Sequence, residues 1–231
     1  MMSEIPVRAM AVVAHPDDAE FTCAGTLAKW IDLGAEVVLV VATNGNKGSA
    51  DLSMTSERLA PIRRQEELAA AAVLGIKEVV FLDYPDGELE ETPALRRDVT
   101  AAIRRYRPEA VFTQDPYRRY QLHRDHRIIG AVTMSAVFPA ARDHLYFPEL
   151  MTQGLLPHKV KQLYMIAPDE PDAWVDITDT FDRKIAALRC HISQVGDNEN
   201  LEQMLRERAA DLGRSQGIAL AESFKRVPLY Y

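Results

Sequence analysis

The stretch RAMAVVAHPDDAE (residues 8–20) decides the fold, because a short apolar run passes directly into a turn that carries a histidine and two carboxylates. Its opening residues, RAMAVVA, have the length and apolar character of a buried strand. His15 is the first polar side chain after this strand, and Pro16 stiffens the turn. Ligands of α/β proteins gather beyond the carboxyl ends of the strands, so Asp17 and Asp18 lie where a ligand is expected.

The same alternation continues along the chain, with short apolar runs between longer segments of helical period. Thr92 is placed to cap a helix, and Pro93 to occupy its first turn. Strands are predicted at residues 8–14, 36–42, 78–82, 110–113 and 159–167, and helices at residues 25–33, 57–74, 93–107, 178–195 and 200–212. This order is typical of βαβ units, so we predict a single Rossmann-like α/β domain over residues 1–231, with a mostly parallel sheet flanked by helices.

Residues 139–156 interrupt the pattern, because they carry prolines, aromatic side chains and His144 without clear periodicity. A loop-rich insertion or a lid is predicted there. We interpret His144 and the nearby His158 as surface or lid residues. The apolar stretch 138–156 would also supply the interface of a homo-oligomer, a state that the sequence leaves open.

Composition argues against several classes of protein. The formal charge is −7 and the 27 lysines and arginines are spread along the chain, so no nucleic-acid partner is expected. No apolar stretch approaches the roughly 18 to 20 residues that cross a bilayer, and the first residues lack the features of a secretion signal, so no membrane partner is expected either. Cys23 and Cys190 lie far apart and suggest neither a disulfide framework nor a thiolate metal site, which favours a reducing cytoplasm.

A second polar loop follows the strand predicted at residues 110–113 and contains HRDH (residues 123–126). His123 and His126 are three apart, so they share one side of a helical turn if a helix begins there and continues through residue 137. Alone, such a pair is most often solvated, and HPDD alone is as easily a solvated turn as a site. Together the two loops supply enough imidazole and carboxylate groups for a catalytic zinc site, which needs three protein ligands and an open position for water.

These motifs resemble the PIG-L/LmbE-like N-acetylglucosaminyl deacetylases. The segments that carry the resemblance are AHPDDAE (residues 14–20), AGT (24–26), R-x-x-E-x-x-x-A-A-x-x-L-G (63–75), HRDH (123–126) and HISQ (191–194). The combination of AHPDD with a downstream H-x-D-H is specific, and the other segments support it. One departure is that Arg124 replaces the proline of the HPDH found in many relatives, which bears on the shape of the helix entry.

The resemblance implies a ligand set and a reaction. His15, Asp18 and His126 would bind Zn²⁺, with another divalent metal as the alternative. Asp17 would act as the general base, and His123 would donate to the developing oxyanion or protonate the leaving amine. The implied reaction is zinc-dependent hydrolysis of the N-acetyl group of an N-acetylglucosamine-containing small molecule.

Five further residues are candidates for substrate-binding or supporting roles: Arg63, Asn44, Asp125, His191 and Gln194. Arg63 is equally explained as an exposed charge on a helix, and Asn44 as part of an ordinary turn. Asp125 is expected to orient a ligand or to begin a helix rather than to bind the metal. His191 and Gln194 share one face of a predicted helix and either line the site or serve a structural role.

Two alternatives to the deacetylase stay open. One is an amidase or deacylase that acts on a different N-acyl group. The other is a Rossmann-like nucleotide-binding module whose acidic loop binds magnesium with phosphate, although the glycines near the first strand do not form G-x-G-x-x-G. Stoichiometric zinc would favour the deacetylase or the amidase, whereas nucleotide-dependent thermal stabilisation without zinc would favour the nucleotide-binding module.

Overall fold

The first strand, β1 (Arg8–Val13), is buried along nearly its whole length in the computed structural model, which describes residues 5–230. Its side chains alternate between the two faces of a sheet, so that Val13 joins the apolar core on one face and Val12 joins the core on the other. A strand that is covered on both faces needs apolar side chains at nearly every position. The apolar run of β1 meets this requirement, so β1 can lie inside the parallel part of the sheet.

The described residues form one seven-stranded sheet with helices on its two faces. The strands are β1 (Arg8–Val13), β2 (Glu36–Thr43), β3 (Glu78–Tyr84), β4 (Ala110–Gln114), β5 (Gln162–Ile166), β6 (Ala173–Asp176) and β7 (Ala221–Pro228). The helices are α1 (Asp18–Thr22), α2 (Ala24–Asp32), α3 (Ser56–Leu74), α4 (Pro93–Tyr106), α5 (Arg124–Ser135), α6 (Glu149–Thr152), α7 (Phe181–Leu188), α8 (Ile192–Val195) and α9 (Leu201–Arg214), with a π-helical turn at Ala136–Ala140. Thr92 caps α4 as predicted, since its side chain accepts a hydrogen bond from the Leu95 amide. Within residues 5–230, no helix combines the length and apolar character needed to span a membrane.

The order of the strands determines where the sheet can bind a ligand. The order is β3-β2-β1-β4-β5-β7-β6, and β1 to β5 are parallel. From β1 the chain moves outward through β2 to β3, and it then returns to form β4 on the other side of β1. The loops after β1 and β4 therefore open a crevice at a topological switch point, where α/β sheets bind ligands. The predicted α/β fold with a mostly parallel sheet is confirmed.

Two apolar layers cover the sheet. One contains Trp30 of α2 together with residues of α7 and α9, and the other contains Ile103 of α4 together with residues of α5. A smaller cluster joins Ala28 of α2, Ala70 of α3 and Ala187 of α7. Small side chains at these contacts let the three helices lie close together, so one face of α3 lies against the loop that follows β1.

The C-terminal third differs from the sequence prediction. The sequence pattern does not predict β6 and β7, and β7 pairs antiparallel with both β5 and β6. β6 has only four residues, and β7 (AESFKRVP) mixes charged with apolar side chains, so neither shows a clear strand period. The single helix predicted at residues 178–195 is wrong. α7 and α8 are separate helices, because His191 between them has non-helical backbone angles (φ −84°, ψ 59°).

Residues 139–156 hold little regular structure beyond the end of the π-helical turn and α6. Arg104 of α4 donates hydrogen bonds at 2.9 Å to three carbonyls here, those of Ala140, Asp143 and Tyr146. Just beyond the stretch, half-buried His158 contacts the carbonyl of Pro108, which precedes β4, whereas His144 is exposed. The Pro108 anchor lies at the amino ends of the strands, and the HPDD turn follows a carboxyl end. These anchors therefore do not place a lid over the HPDD turn.

Candidate metal centre and active site

Three side chains from the two predicted loops meet in the crevice between β1 and β4, and we call them the metal cluster: His15, Asp18 and His126. His15 Nδ1 lies 3.2 Å from His126 Nε2 and 3.4 Å from Asp18 Oδ2, and His126 Nε2 lies 3.1 Å from Asp18 Oδ1. His15 lies two residues after the end of β1, and His126 lies in the first turn of α5. Two imidazole nitrogens and a carboxylate that face one another are a donor set that fits a divalent cation.

The second ring nitrogen of His15 is held by carboxylates. His15 Nε2 lies 3.1 Å from Asp86 Oδ1 and 3.2 Å from Asp125 Oδ2. Burial lowers the pKa of His15, but the hydrogen bonds to Asp125, Asp18 and Asp86 outweigh it and raise the pKa to about 11. The carboxylates keep a proton on Nε2 and leave Nδ1 facing the metal cluster, so a bound cation would displace the proton from Nδ1.

Asp125 ties this contact to the loop after β3. Its fully buried carboxylate also accepts hydrogen bonds from the Gly87 amide at 2.7 Å and the Leu89 amide at 3.2 Å. The Asp125 carboxylate therefore joins His15 Nε2 to the loop after β3. The sequence motifs do not include Asp86, which lies in the same loop. The sequence feature that could have identified Asp86 is its position just after a predicted strand, at the same edge of the sheet as His15.

Asp18 is held as a carboxylate. Its Oδ2 accepts hydrogen bonds from the His15 amide at 2.8 Å and from Gln114 Nε2 at 2.9 Å. Burial raises the pKa of Asp18, but the hydrogen bonds and positive charges of His126 and His15 outweigh it and hold the pKa well below its usual range. Gln114, the last residue of β4, was not among the sequence candidates. A permanently ionised carboxylate suits a metal ligand.

Asp17 differs from Asp18 both in the contacts of its side chain and in the direction in which its pKa is shifted. Its backbone is left-handed (φ 94°, ψ −21°), and its Oδ2 accepts a hydrogen bond from Arg63 Nη2 at 3.1 Å. Burial and the negative charge of Asp18 raise the pKa of Asp17 to about 7, against the opposing effect of Arg63. A carboxyl group with a pKa near neutrality can both take up and release a proton at working pH.

His123 lies beside the metal cluster with one ring nitrogen already engaged. Its ring centroid is 4.4 Å from that of His15 and 4.8 Å from that of His126, and its Nδ1 accepts a hydrogen bond from the Asp125 amide at 3.3 Å. Partial burial and the positive charges of His15 and His126 lower the pKa of His123, which favours the neutral ring. In a neutral ring whose Nδ1 accepts, Nε2 carries the hydrogen and is a donor.

Arg63 is a buried part of the site rather than an exposed helix charge. Its guanidinium donates to the Pro16 carbonyl at 2.5 Å and to the Gly45 carbonyl at 3.2 Å. Gly45 has a positive φ of 63°, and a Cβ there would lie 2.6 Å from Arg63 Nη1. Glycine at this position therefore makes room for Arg63. Asn44, next to it, is half-buried and accepts the amide of Asn46 in its own loop at 3.2 Å.

The two candidates from the HISQ segment lie in different places. His191 has 0% exposure, and its Nε2 lies 3.6 Å from Glu20 Oε2. It therefore does not line an open site, and the structural interpretation of this residue fits its position. Gln194 is half-buried and donates to the Gly48 carbonyl at 2.9 Å, which joins α8 to the loop after β2. The helical period that grouped the two residues fails because the helix is interrupted at His191.

Comparison with known proteins supports a common family. The PIG-L family profile, described as GlcNAc-PI de-N-acetylase, matches residues 10–137. A diacetylchitobiose deacetylase of Thermococcus kodakarensis is 33% identical and covers 96% of this chain and 83% of its own length. A 1D-myo-inositol 2-acetamido-2-deoxy-alpha-D-glucopyranoside deacetylase of Mycobacterium sp. (strain KMS) is 30% identical, over 84% of this chain and 76% of the relative. The solved structure of N,N'-diacetylchitobiose deacetylase from Pyrococcus horikoshii superposes with a TM-score of 0.91 at 33% identity, over 96% of this chain and 84% of that one. The chain therefore belongs to the PIG-L family.

Proposed function

We propose that this protein is a zinc-dependent N-deacetylase that hydrolyses the N-acetyl group of an N-acetylglucosamine-containing small molecule. The observation that carries the proposal is the convergence of His15 Nδ1, His126 Nε2 and the Asp18 carboxylate within 3.4 Å, in a chain of the PIG-L family. Two histidines and one carboxylate are a ligand set of catalytic zinc sites, which supports zinc as the metal.

The remaining groups of the site divide the proton transfers of amide hydrolysis between them. When bound, zinc polarises the acetyl carbonyl and lowers the pKa of the attacking water. Asp17 takes the proton of that water, and its pKa near 7 suits this role. The Nε2–H of His123 donates to the carbonyl oxygen as negative charge develops on it. Once the water oxygen has bonded to the acetyl carbon, the proton held by Asp17 passes to the amide nitrogen as the C–N bond breaks, which gives a free amine and acetate.

The substrate class rests on the relatives. The similar proteins from Thermococcus and Mycobacterium are named as deacetylases of a GlcNAc disaccharide and of a GlcNAc-inositol glycoside. The nucleotide-binding alternative loses support, since the chain lacks the glycine motif and belongs to a family described as de-N-acetylases. A cytoplasmic location is part of the proposal, supported by two cysteines that are both free thiols.

The test is a screen for amine release from zinc-loaded protein. N,N'-diacetylchitobiose, N-acetylglucosamine and a GlcNAc-inositol glycoside are compared with N-acyl amides that lack a sugar. We expect release from at least one amino sugar, its loss in His126→Ala, and its retention in His144→Ala, a matched control in an exposed histidine. Release from the non-sugar amides alone would favour the amidase or deacylase. Full activity of His126→Ala would contradict the proposed centre.

A further inference from the structure

The peptide bond between Pro16 and Asp17 is held at both of its polar ends by one turn of α3. The Pro16 carbonyl accepts a hydrogen bond from Arg63 Nη2 at 2.5 Å, and the Asp17 amide donates to Glu67 Oε2 at 3.1 Å. Arg63 and Glu67 are four residues apart and therefore share a face of the helix. Arg63 is 3% exposed and Glu67 is 0% exposed. Two buried side chains of one helix thus set the plane of a single peptide.

The orientation of this peptide matters because of the backbone of Asp17. Its φ of 94° lies in a region that residues with a side chain rarely occupy. The angle φ measures rotation about the N–Cα bond of Asp17, so rotation of the Pro16–Asp17 peptide changes it directly. Once the peptide is released, a negative φ is favoured, and the Asp17 carboxylate would leave its present position beside the metal cluster.

A substitution of Glu67 tests the orientation of the peptide more cleanly than a substitution of Arg63 does. Arg63 donates both to the Pro16 carbonyl and to the Asp17 carboxylate, so its removal changes the charge next to the carboxylate as well as the geometry. The hydrogen bond of Glu67 is made to the amide of Asp17. A substitution that removes only this acceptor therefore tests the peptide orientation.

Two further buried ionisable side chains, Glu20 and His191, lie near Glu67. One nitrogen or oxygen atom from each of the three lies within 4.8 Å of the other two. Glu67 Oε1 and both oxygens of the Glu20 carboxylate have no hydrogen-bond partner among the described residues. Burial and the charge of Glu20 raise the pKa of Glu67 well above its usual range. Glutamine is isosteric with a protonated glutamate and keeps an acceptor oxygen for the Asp17 amide.

We propose that Glu67 is a positioning residue that, together with Arg63, locks the Pro16–Asp17 peptide and thereby aims the Asp17 carboxylate at the attacking water. The inference rests on the proposed function, in which Asp17 is the general base. It gives Glu67 no contact with substrate or metal, so its effect is expected in kcat rather than in KM or in metal binding.

The experiment compares Glu67→Leu with Glu67→Gln in zinc-loaded enzyme, using the best substrate of the screen. Glu57→Gln, in an exposed position of the first turn of α3, is the control. We expect Glu67→Leu to lower kcat about 10- to 100-fold, the scale of a small misplacement of a catalytic group, with KM and zinc content unchanged. Glu67→Gln keeps kcat close to that of the parent enzyme. If Glu67→Leu does not fold, Glu67→Met takes its place, since it also lacks the acceptor and is closer to glutamate in length.

Double variants distinguish this inference from the proposed function. If Glu67 acts through Asp17, then Glu67→Leu adds no further loss to that of Asp17→Asn. Full additivity, a normal kcat of Glu67→Leu, or a low kcat of Glu67→Gln would overturn the positioning role. A second zinc per chain that Glu67→Gln removes would overturn it as well, because Glu67 would then be a ligand. A normal kcat of Asp17→Asn would instead refute Asp17 as the general base of the proposed function.

Discussion

Two of the buried charged clusters among the described residues, the structural pair and the metal cluster, differ in whether their polar atoms find complementary partners. Lys184 and Glu222 form the structural pair, with Nζ and Oε1 2.6 Å apart and both side chains almost fully buried. Glu222 also accepts the amides of Gly25 at 3.0 Å and Thr26 at 2.8 Å, at the start of α2, and Lys184 donates to the Phe21 carbonyl at 3.2 Å. Donors meet acceptors throughout, and the charges cancel.

The metal cluster instead brings lone pairs together, because its two imidazole nitrogens and its carboxylate can each donate only while a proton is bound to them. His15 Nδ1 and His126 Nε2 are 3.2 Å apart, and each also lies within 3.4 Å of the Asp18 carboxylate. Such lone pairs need a proton or a cation between them, whereas the structural pair needs nothing from outside the chain. A buried cluster that closes its own hydrogen bonds holds the fold together, and one that leaves converging lone pairs is suited to bind a ligand.

The largest effect on activity is expected from the ligands themselves. His15→Ala and His126→Ala each leave two of the three donors, so zinc content should fall sharply and amine release should drop to background. Zinc is measured by elemental analysis after dialysis. Full zinc occupancy in both variants would show that the metal cluster is not the zinc site, and the functional contrast with the structural pair would fail.

A smaller loss should separate the two adjacent aspartates. Asp17→Asn is nearly isosteric and removes basicity, so it should keep zinc while kcat falls by about 10² to 10⁴. Asp18→Asn should primarily weaken zinc binding, because an amide is a poorer ligand than a carboxylate. Zinc content and kcat are measured for both variants in excess metal. Loss of zinc in Asp17→Asn would reverse the division of roles.

His123 is expected to contribute less than Asp17. His123→Ala should retain zinc and lower kcat by about 10² to 10³, the usual cost of a lost oxyanion donor. His123→Gln offers an N–H donor without a titratable group. Partial recovery of kcat in this variant supports oxyanion stabilisation, whereas no recovery points to proton donation to the amine. Loss of zinc from His123→Ala would make His123 a ligand.

The smallest effect on activity is expected at the structural pair. Glu222→Ala leaves Lys184 buried without its counter-charge, so the free energy of unfolding should fall by about 3 to 5 kcal/mol. The kcat of the folded fraction should stay at the parent value, since neither residue belongs to the site. Urea denaturation and kcat are measured on the same preparation. A large fall in kcat without loss of stability would show that this pair is not purely structural.

Much of the site could be predicted because its residues follow buried strands in the sequence. His15, Asp17 and Asp18 come directly after an apolar run, and the spacing of His123 and His126 matches a helical turn, so a local pattern identifies each group. Asp86 and Glu67 could not be found in this way. Asp86 lies 71 residues after His15 in the sequence and belongs to no motif. Glu67 is one of several charged residues in an Ala- and Glu-rich helix, and nothing in its local sequence distinguishes it from them.

By itself, the sequence determined the alternation of strands and helices, the cap at Thr92 and the identity of the two polar loops, because these depend on apolar periodicity and on neighbouring residues. Only the tertiary structure decided that β4 lies beside β1, that β7 completes the sheet in antiparallel orientation, and that α3 holds the peptide before Asp17. These features join residues that are distant in the chain. Their geometry follows from how the helices and strands pack, and local sequence patterns do not encode it.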